Sequence, residues 1–330
     1  MVLVNVVRAV VFVLEKASRM RIGQAWDDPA LDAALPGVRA GRLDQGLELI
    51  RASRGDNDLR ALRVQELARA ARSHTDALAR LPETDPDALL WLGAARVKHA
   101  WDIRGASLAR YVGHDRFARF HETLETAEPP LRRAAEALPE DPVPWAHLQW
   151  QAIGDQAGRP ALDSIWRELH TRDPALYAGH HGRAQALCTK WYGSDDELLT
   201  FARETVAASR PGDPVTAILP LAHFEIAWQE NDYTGHDADE ALRARFRRPD
   251  VSGELIEAAD SWRTGSRPHP FAPEAMHLFG AAFYYSGHHS RAQTLLTSAG
   301  RRVPETLPWA AASLTPGRRY ARARRELVLP

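Results

Sequence analysis

Apolar residues recur at intervals of three and four along residues 275–304 (AMHLFGAAFYYSGHHSRAQTLLTSAGRRVP), which predicts two helices side by side. Met276, Phe279, Gly280 and Phe283 share one face of the first. The pattern breaks at Ser286-Gly287-His288-His289, where Gly287 can take the left-handed conformation that ends a helix. Ala292, Leu295, Leu296 and Ala299 mark the second helix, and Gly300 and Pro304 end it. Gly280 and Ala292 are small where the helices would cross, and Phe279, Phe283 and Leu296 fill the flanks.

Looser versions of this pattern run through most of the chain. Residues 40–44 read as a turn, after which Leu47 and Ile50 begin a helix. Residues 54–58 read as a loop, with Asp58 capping a helix whose apolar face is Leu62, Leu67 and Ala71. Asp-Pro recurs at 85–86, 141–142, 173–174 and 213–214. The dipeptide suits a helix start, because Asp accepts bonds from free N–H groups and Pro needs none at the first position.

Counted from Gly280, an aromatic stands three places on (Phe283), Ala twelve (Ala292), a large apolar residue sixteen (Leu296), Ala nineteen (Ala299) and Pro twenty-four (Pro304). This register resembles the tetratricopeptide repeat (TPR) family. Two intervals between the Asp-Pro prolines, 32 and 40 residues, straddle that family's period of about 34. A second partial match starts at Gln149, with Ala161 and Ile165 in register, although Gln149 and Glu168 replace small residues. The clearest repeats are 142–174 and 273–304. A hairpin of this kind cannot bury its apolar face alone, so neighbouring copies are expected.

The expected fold class is therefore all-α: an α-solenoid, a TPR-like superhelix of antiparallel hairpins with irregular insertions. Residues 1–16 form an apolar N-terminal segment, 17–315 the repeat domain and 316–330 a basic C-terminal tail. Leu187, Leu198 and Phe201 outline a further copy around the turn at 192–194. Leu219, Leu221, Phe224 and Trp228 start another, which ends at Asn231-Asp232-Tyr233. Residues 101–121 depart from the repeat and read as an irregular connection plus a helix through Phe117 and Phe120, with a second helix at 131–138. Residues 237–262 are polar and predict two helices broken at Arg248-Pro249. Residues 265–273 read as a linker. Pro316-Gly317 ends the array, and Arg318, Arg319, Arg322, Arg324 and Arg325 read as solvated surface.

Charge and composition narrow the function. A net charge of −1 argues against a general nucleic-acid binder. One cysteine, Cys188, excludes an intrachain disulfide and a cysteine-rich zinc site. The ten tryptophans read mainly as fillers between helices. The apolar run at residues 1–14 is shorter than the roughly 20 residues of a membrane helix and contains Asn5 and Arg8. It also lacks the charge order and cleavage site of an export signal. The expectation is a cytoplasmic protein without a membrane partner.

Histidine is the one residue type that invites an enzyme reading. His180-His181 and His288-His289 are pairs, and His114 and His121 lie two helical turns apart. His121-Glu122 begins like a zinc-protease signature, but Glu125 stands where its second histidine belongs. Neither a nucleophile elbow nor a phosphate-binding loop occurs. Cys188 sits among Ala184, Leu187 and Trp191 as a buried thiol would. No catalytic, cofactor or metal residues are assigned.

In the TPR family the first helix of each hairpin lines a concave groove that holds a peptide. The resemblance places Glu274, His277, Ala281, Tyr284 and Tyr285 toward such a groove, and Trp150 through the Gln149 register; Tyr284 and Tyr285 fit equally well as packing against a neighbouring helix pair. It implies a non-enzymatic scaffold for a protein or peptide segment. The alternative is a metal-dependent or acid/base enzyme on the same scaffold, using groove histidines with carboxylates.

Overall fold

The computed structural model describes residues 18–105, 113–230, 238–265 and 267–330. The apolar segment at 1–16 and the turn at Asn231-Asp232-Tyr233 lie outside them. Helices make up 72% of the described residues, against two strands of two residues each; the protein is all-α. None of the described helices is long and apolar enough to cross a membrane. The chain divides into two compact units that cut across the 17–315 span read from the repeats. One, the insert unit, is Asp28–Ala186. The other, the split unit, joins the segment up to Asp27 with Leu187–Pro330.

The insert unit begins with α1 (Pro29–Arg39), α2 (Asp44–Ala52), α3 (Asn57–Ala71) and the single turn α4 (Thr75–Leu78). It continues through α5 (Pro86–Arg104), α6 (His114–Ala137), α7 (Val143–Gly154), α8 (Arg159–Arg172) and α9 (Tyr177–Ala186). These helices are of two kinds. In α5, α7 and α9 burial extends all round the helix, and every residue from Asp87 to Ala95 is buried. In α6 and α8 it falls on one stripe, such as Leu162, Ile165 and Leu169. Close crossings use glycine facing a large side chain. A β-carbon on Gly93 would lie 2.5 Å from Leu131 Cγ, and one on Gly179 2.5 Å from Leu169 Cδ2.

Two local expectations for this unit are corrected. The helix expected to end before residue 131 instead runs unbroken through Pro129 and Pro130. Pro130 has no N–H to give the Thr126 carbonyl. Arg96 Nη1 of α5 takes that place at 2.7 Å, while Pro130 and Leu131 bury themselves in the crossing. The cap of α3 is Asp56, which accepts from Leu59 N at 3.0 Å. Asp58 reaches across instead to Tyr177 N at the start of α9, 3.1 Å away.

The split unit contains β1 (Arg21–Ile22), α10 (Asp195–Ala208), a 3-10 turn (Pro214–Ala217) and α11 (Ile218–Glu230). Then come α12 (Ala238–Phe246), α13 (Pro249–Arg263), α14 (Ala272–Ser286) and α15 (His289–Ala299). β2 (Arg302–Val303), a second 3-10 turn (Trp309–Ala312) and α16 (Pro316–Glu326) complete it. β1 and β2 pair in parallel, Arg21 opposite Arg302. The expected break at Arg248-Pro249 separates α12 from α13.

The α14–α15 hairpin forms as its spacing requires. Gly287 ends α14 in the left-handed region at φ +88°, where a β-carbon would clash with the backbone. Phe279, Phe283, Ala292 and Leu296 are all buried. A β-carbon on Gly280 would lie 2.5 Å from Leu296 Cδ2. Gly280→Leu is therefore expected to lower stability by about 1–3 kcal/mol through overpacking. Chemical denaturation of the variant checks this, and an unchanged midpoint would mean that the crossing tolerates bulk.

The basic tail is a correction. Residues 316–326 form α16, and Pro316 starts this helix rather than ending the array. Arg319 and Arg324 are buried. Arg319 pairs with Asp239 and donates from Nε to the Tyr285 hydroxyl at 3.2 Å. Arg324 Nη1 donates to the Gly300 carbonyl at 2.7 Å, and so satisfies an acceptor freed where α15 ends.

Candidate binding face

Most of the groove residues expected in the last hairpin are core. His277, Ala281, Tyr284 and Tyr285 are buried, and Glu274 is half-buried in the first turn of α14. His277 Nδ1 accepts from the Trp309 indole N–H at 3.0 Å. Its Nε2 lies 2.6 Å from the Arg302 carbonyl. A carbonyl can only accept, so Nε2 carries the proton and the ring is neutral. Burial holds the pKa of His277 down at about 4. The Tyr284 hydroxyl donates to Glu326, and the guanidiniums of Arg243 and Arg319 lie over its ring at 5.4 and 5.7 Å. The groove assignment fails here because α16 and the second 3-10 turn cover the face that the hairpin register left open.

Trp150 differs. It stands on α7, half-buried, in the run of rings that remains part-exposed on the insert unit. Its ring meets Trp101 edge-on at 6.2 Å and His181 at 6.0 Å. Trp101 in turn meets Phe120 at 5.3 Å, and His181 meets Tyr177 at 6.5 Å. Such edge-to-face pairs orient rings as well as bury them. Trp101 Nε1 also donates to the Trp150 carbonyl at 3.3 Å, which ties α5 to α7. Phe120 and Leu124 of α6, with Ala100 of α5, form the apolar floor on which Trp101, Ile103 and Phe117 rest.

Cations accompany the rings. Lys98 Nζ lies 5.9 Å from the Trp150 centroid, and the Arg104 guanidinium 5.5 Å from that of Trp101. Both distances are within reach of a cation–π attraction. Behind Trp150, His147 is buried, and burial first and the Lys98 charge second hold its pKa down at about 3. Lys98, Trp101 and His181 were missed as site residues. Trp101 had a visible signal, since an aromatic at the end of an otherwise apolar helix favours a boundary between core and solvent. Lys98 and His181 had none, because their positions depend on which helices become neighbours.

The histidine–carboxylate arrangements offer less. His223 Nε2 faces Glu254 Oε1 at 2.8 Å, and Arg245 Nε donates to its Nδ1 at 3.3 Å. Both ring nitrogens are thus engaged by protein groups, and burial lowers its pKa. His121 Nδ1 is 3.7 Å from Asp155 on a part-exposed surface. His180 Nδ1 bonds the Leu176 carbonyl, and His288 bonds Ser252. Among the described residues no group of three or more His, Cys, Asp or Glu is placed to hold a metal ion. The Cys188 thiol is buried and its pKa is pushed far up, mainly by that burial, so the nucleophilic thiolate is disfavoured. The chain matches no family model, and no curated protein matches it.

Proposed function

We propose that this chain is a non-enzymatic interaction protein. Its hairpins follow the tetratricopeptide scheme, and it binds a protein or peptide segment across Trp101, Trp150 and His181. One observation carries the reading: two large indoles are held part-exposed by edge-on neighbours instead of being folded into the core. Rigid aromatic anchors of this kind supply much of the energy at protein interfaces. Lys98 and Arg104 beside them suit a segment that places a carboxylate next to an apolar side chain. A reducing, cytoplasmic setting accords with a single buried thiol.

Affinity isolation of the intact protein followed by mass spectrometry tests the proposal. A partner should be enriched by the wild type and lost with Trp150→Ala, whose binding is expected to weaken by at least about 2 kcal/mol, roughly 30-fold. Equal enrichment by both forms, or none by either, would refute this use of the face.

A further inference from the structure

We infer that the open face of α16 docks on an anionic lipid surface. The helix sorts its five arginines by side. Arg319 and Arg324 are buried and bonded within the split unit, whereas Arg318, Arg322 and Arg325 are exposed. The exposed three recur at four and three, on one stripe. Arg322 is partly neutralised by Glu326 at 2.7 Å, but among the described residues no acidic side chain pairs with Arg318 or Arg325 along the stripe. α16 packs on both β1 and β2, where Arg21 and Arg301 are also exposed.

Two apolar side chains bracket the stripe. Leu314 is 79% exposed just before α16, and Val328 is 86% exposed just after it. They are the large hydrophobics most open to solvent among the described residues. Val328 is also strained. The helix ends in a motif in which Leu329 N donates to the Arg324 carbonyl at 2.8 Å and Val328 N to that of Arg325 at 3.1 Å. That motif places its middle residue in the left-handed region, usually as glycine. Here a valine occupies it at φ +54°, where a branched side chain is disfavoured. The fold gains nothing from the exposed isopropyl group, so a contact outside the protein accounts for it best.

A row of cations with an apolar residue at each end matches a membrane surface, with phosphates at the level of the arginines and acyl chains just below. An acidic protein would match the charges but leaves the two separated apolar side chains unexplained. Binding at a surface needs no spanning helix.

Co-sedimentation of the full chain with vesicles tests this. Phosphatidylcholine vesicles containing phosphatidylglycerol should retain the protein, and pure phosphatidylcholine vesicles should not. Raised salt should weaken retention. Arg318→Gln with Arg325→Gln should reduce it roughly 10- to 30-fold. Val328→Gly removes the strain and the apolar contact together, so it should keep or raise the melting temperature while weakening vesicle binding. Equal retention by both vesicle types overturns the inference. So does unchanged binding of the arginine double variant. Capture by immobilised polyglutamate without capture by anionic vesicles overturns it in favour of an acidic protein.

Discussion

Arg60→Met is expected to destabilise the insert unit by about 3–5 kcal/mol, the range for removing one partner of a buried ion pair. Arg60 is 1% exposed, and its guanidinium is used on every side. Nε donates to Asp141 Oδ2 at 2.7 Å, Nη2 to Asp87 Oδ1 at 2.7 Å and Nη1 to the Ile50 carbonyl at 2.9 Å. Asp87 keeps a second partner, since Arg54 Nη2 lies 2.6 Å from its other oxygen. Asp141 keeps none, so its carboxylate would stay buried with only a backbone bond. The ion pair itself adds little over an apolar replacement; the cost comes from stranding a charge. Arg60→Met with Asp141→Asn should therefore recover a good part of the loss. Arg322→Met on the exposed face of α16 should change stability by less than about 0.5 kcal/mol. Urea unfolding, with hydrogen exchange to locate the loss in α3, α5 and α7, measures both. An Arg60 variant as mild as the Arg322 variant would contradict the network.

The network follows a rule visible across the insert unit. Each aspartate of an Asp-Pro pair gives one oxygen to a backbone N–H just after it, in a helix for Asp28, Asp85 and Asp141 and in the turn before α9 for Asp173, and the other to a distant side chain. Asp28 holds Ala30 N and Leu31 N, and Arg63. Asp85 holds Asp87 N and Arg51. Asp141 holds Val143 N and Arg60, and Asp173 holds Ala175 N and Asn57. The first three thus start helices, and all four fasten their segments to α2 or α3.

Acidification should give the second large effect. Burial lowers the pKa of His147 to about 3 and that of His180 to about 4. Both rings stay neutral in the fold, while in the unfolded chain they take a proton near pH 6.5. The unfolded state then binds more protons, so stability falls as pH drops below about 6.5 and levels off only below the folded pKa values. Each ring costs about 1.4 kcal/mol per pH unit in that window, so the insert unit should lose about 4 kcal/mol between pH 7 and pH 5. His277, held down at about 4, and His223, also lowered, act in the same direction in the split unit. Glu254, with a pKa of about 2, contributes only at lower pH, as it protonates on the way down from its ordinary value. Denaturation midpoints measured from pH 7 to pH 5 test this, and a flat profile would mean that the imidazoles are protonated in the fold.

Much of this protein was decided locally, and such features were legible in the amino-acid sequence. The α14–α15 hairpin, its left-handed Gly287 and the close approach at Gly280 all follow from residues a few positions apart. So do the helix starts at Asp85-Pro86 and Asp141-Pro142 and the break at Arg248-Pro249, whereas Asp173-Pro174 ends one helix and leads through a turn to α9. Asp28-Pro29 carries the same signal and starts α1. The Asp56 and Asp58 roles were misassigned because two aspartates in one loop look alike until the start of α9 claims the second.

Tertiary structure alone decided which faces are closed. Tyr284 has the spacing of a groove residue, yet its hydroxyl meets Glu326, far along the chain on α16. The arginines of α16 look uniform in sequence, but Arg319 and Arg324 became internal donors while Arg318 and Arg325 stayed in solvent. The helix α6 runs on through Pro129 and Pro130 because Arg96, on another helix, supplies a missing donor. Helix type, caps and turns depend on steric and hydrogen-bonding terms within about one turn of chain. Exposure depends on which distant segment comes to rest on a face, and no local pattern encodes that.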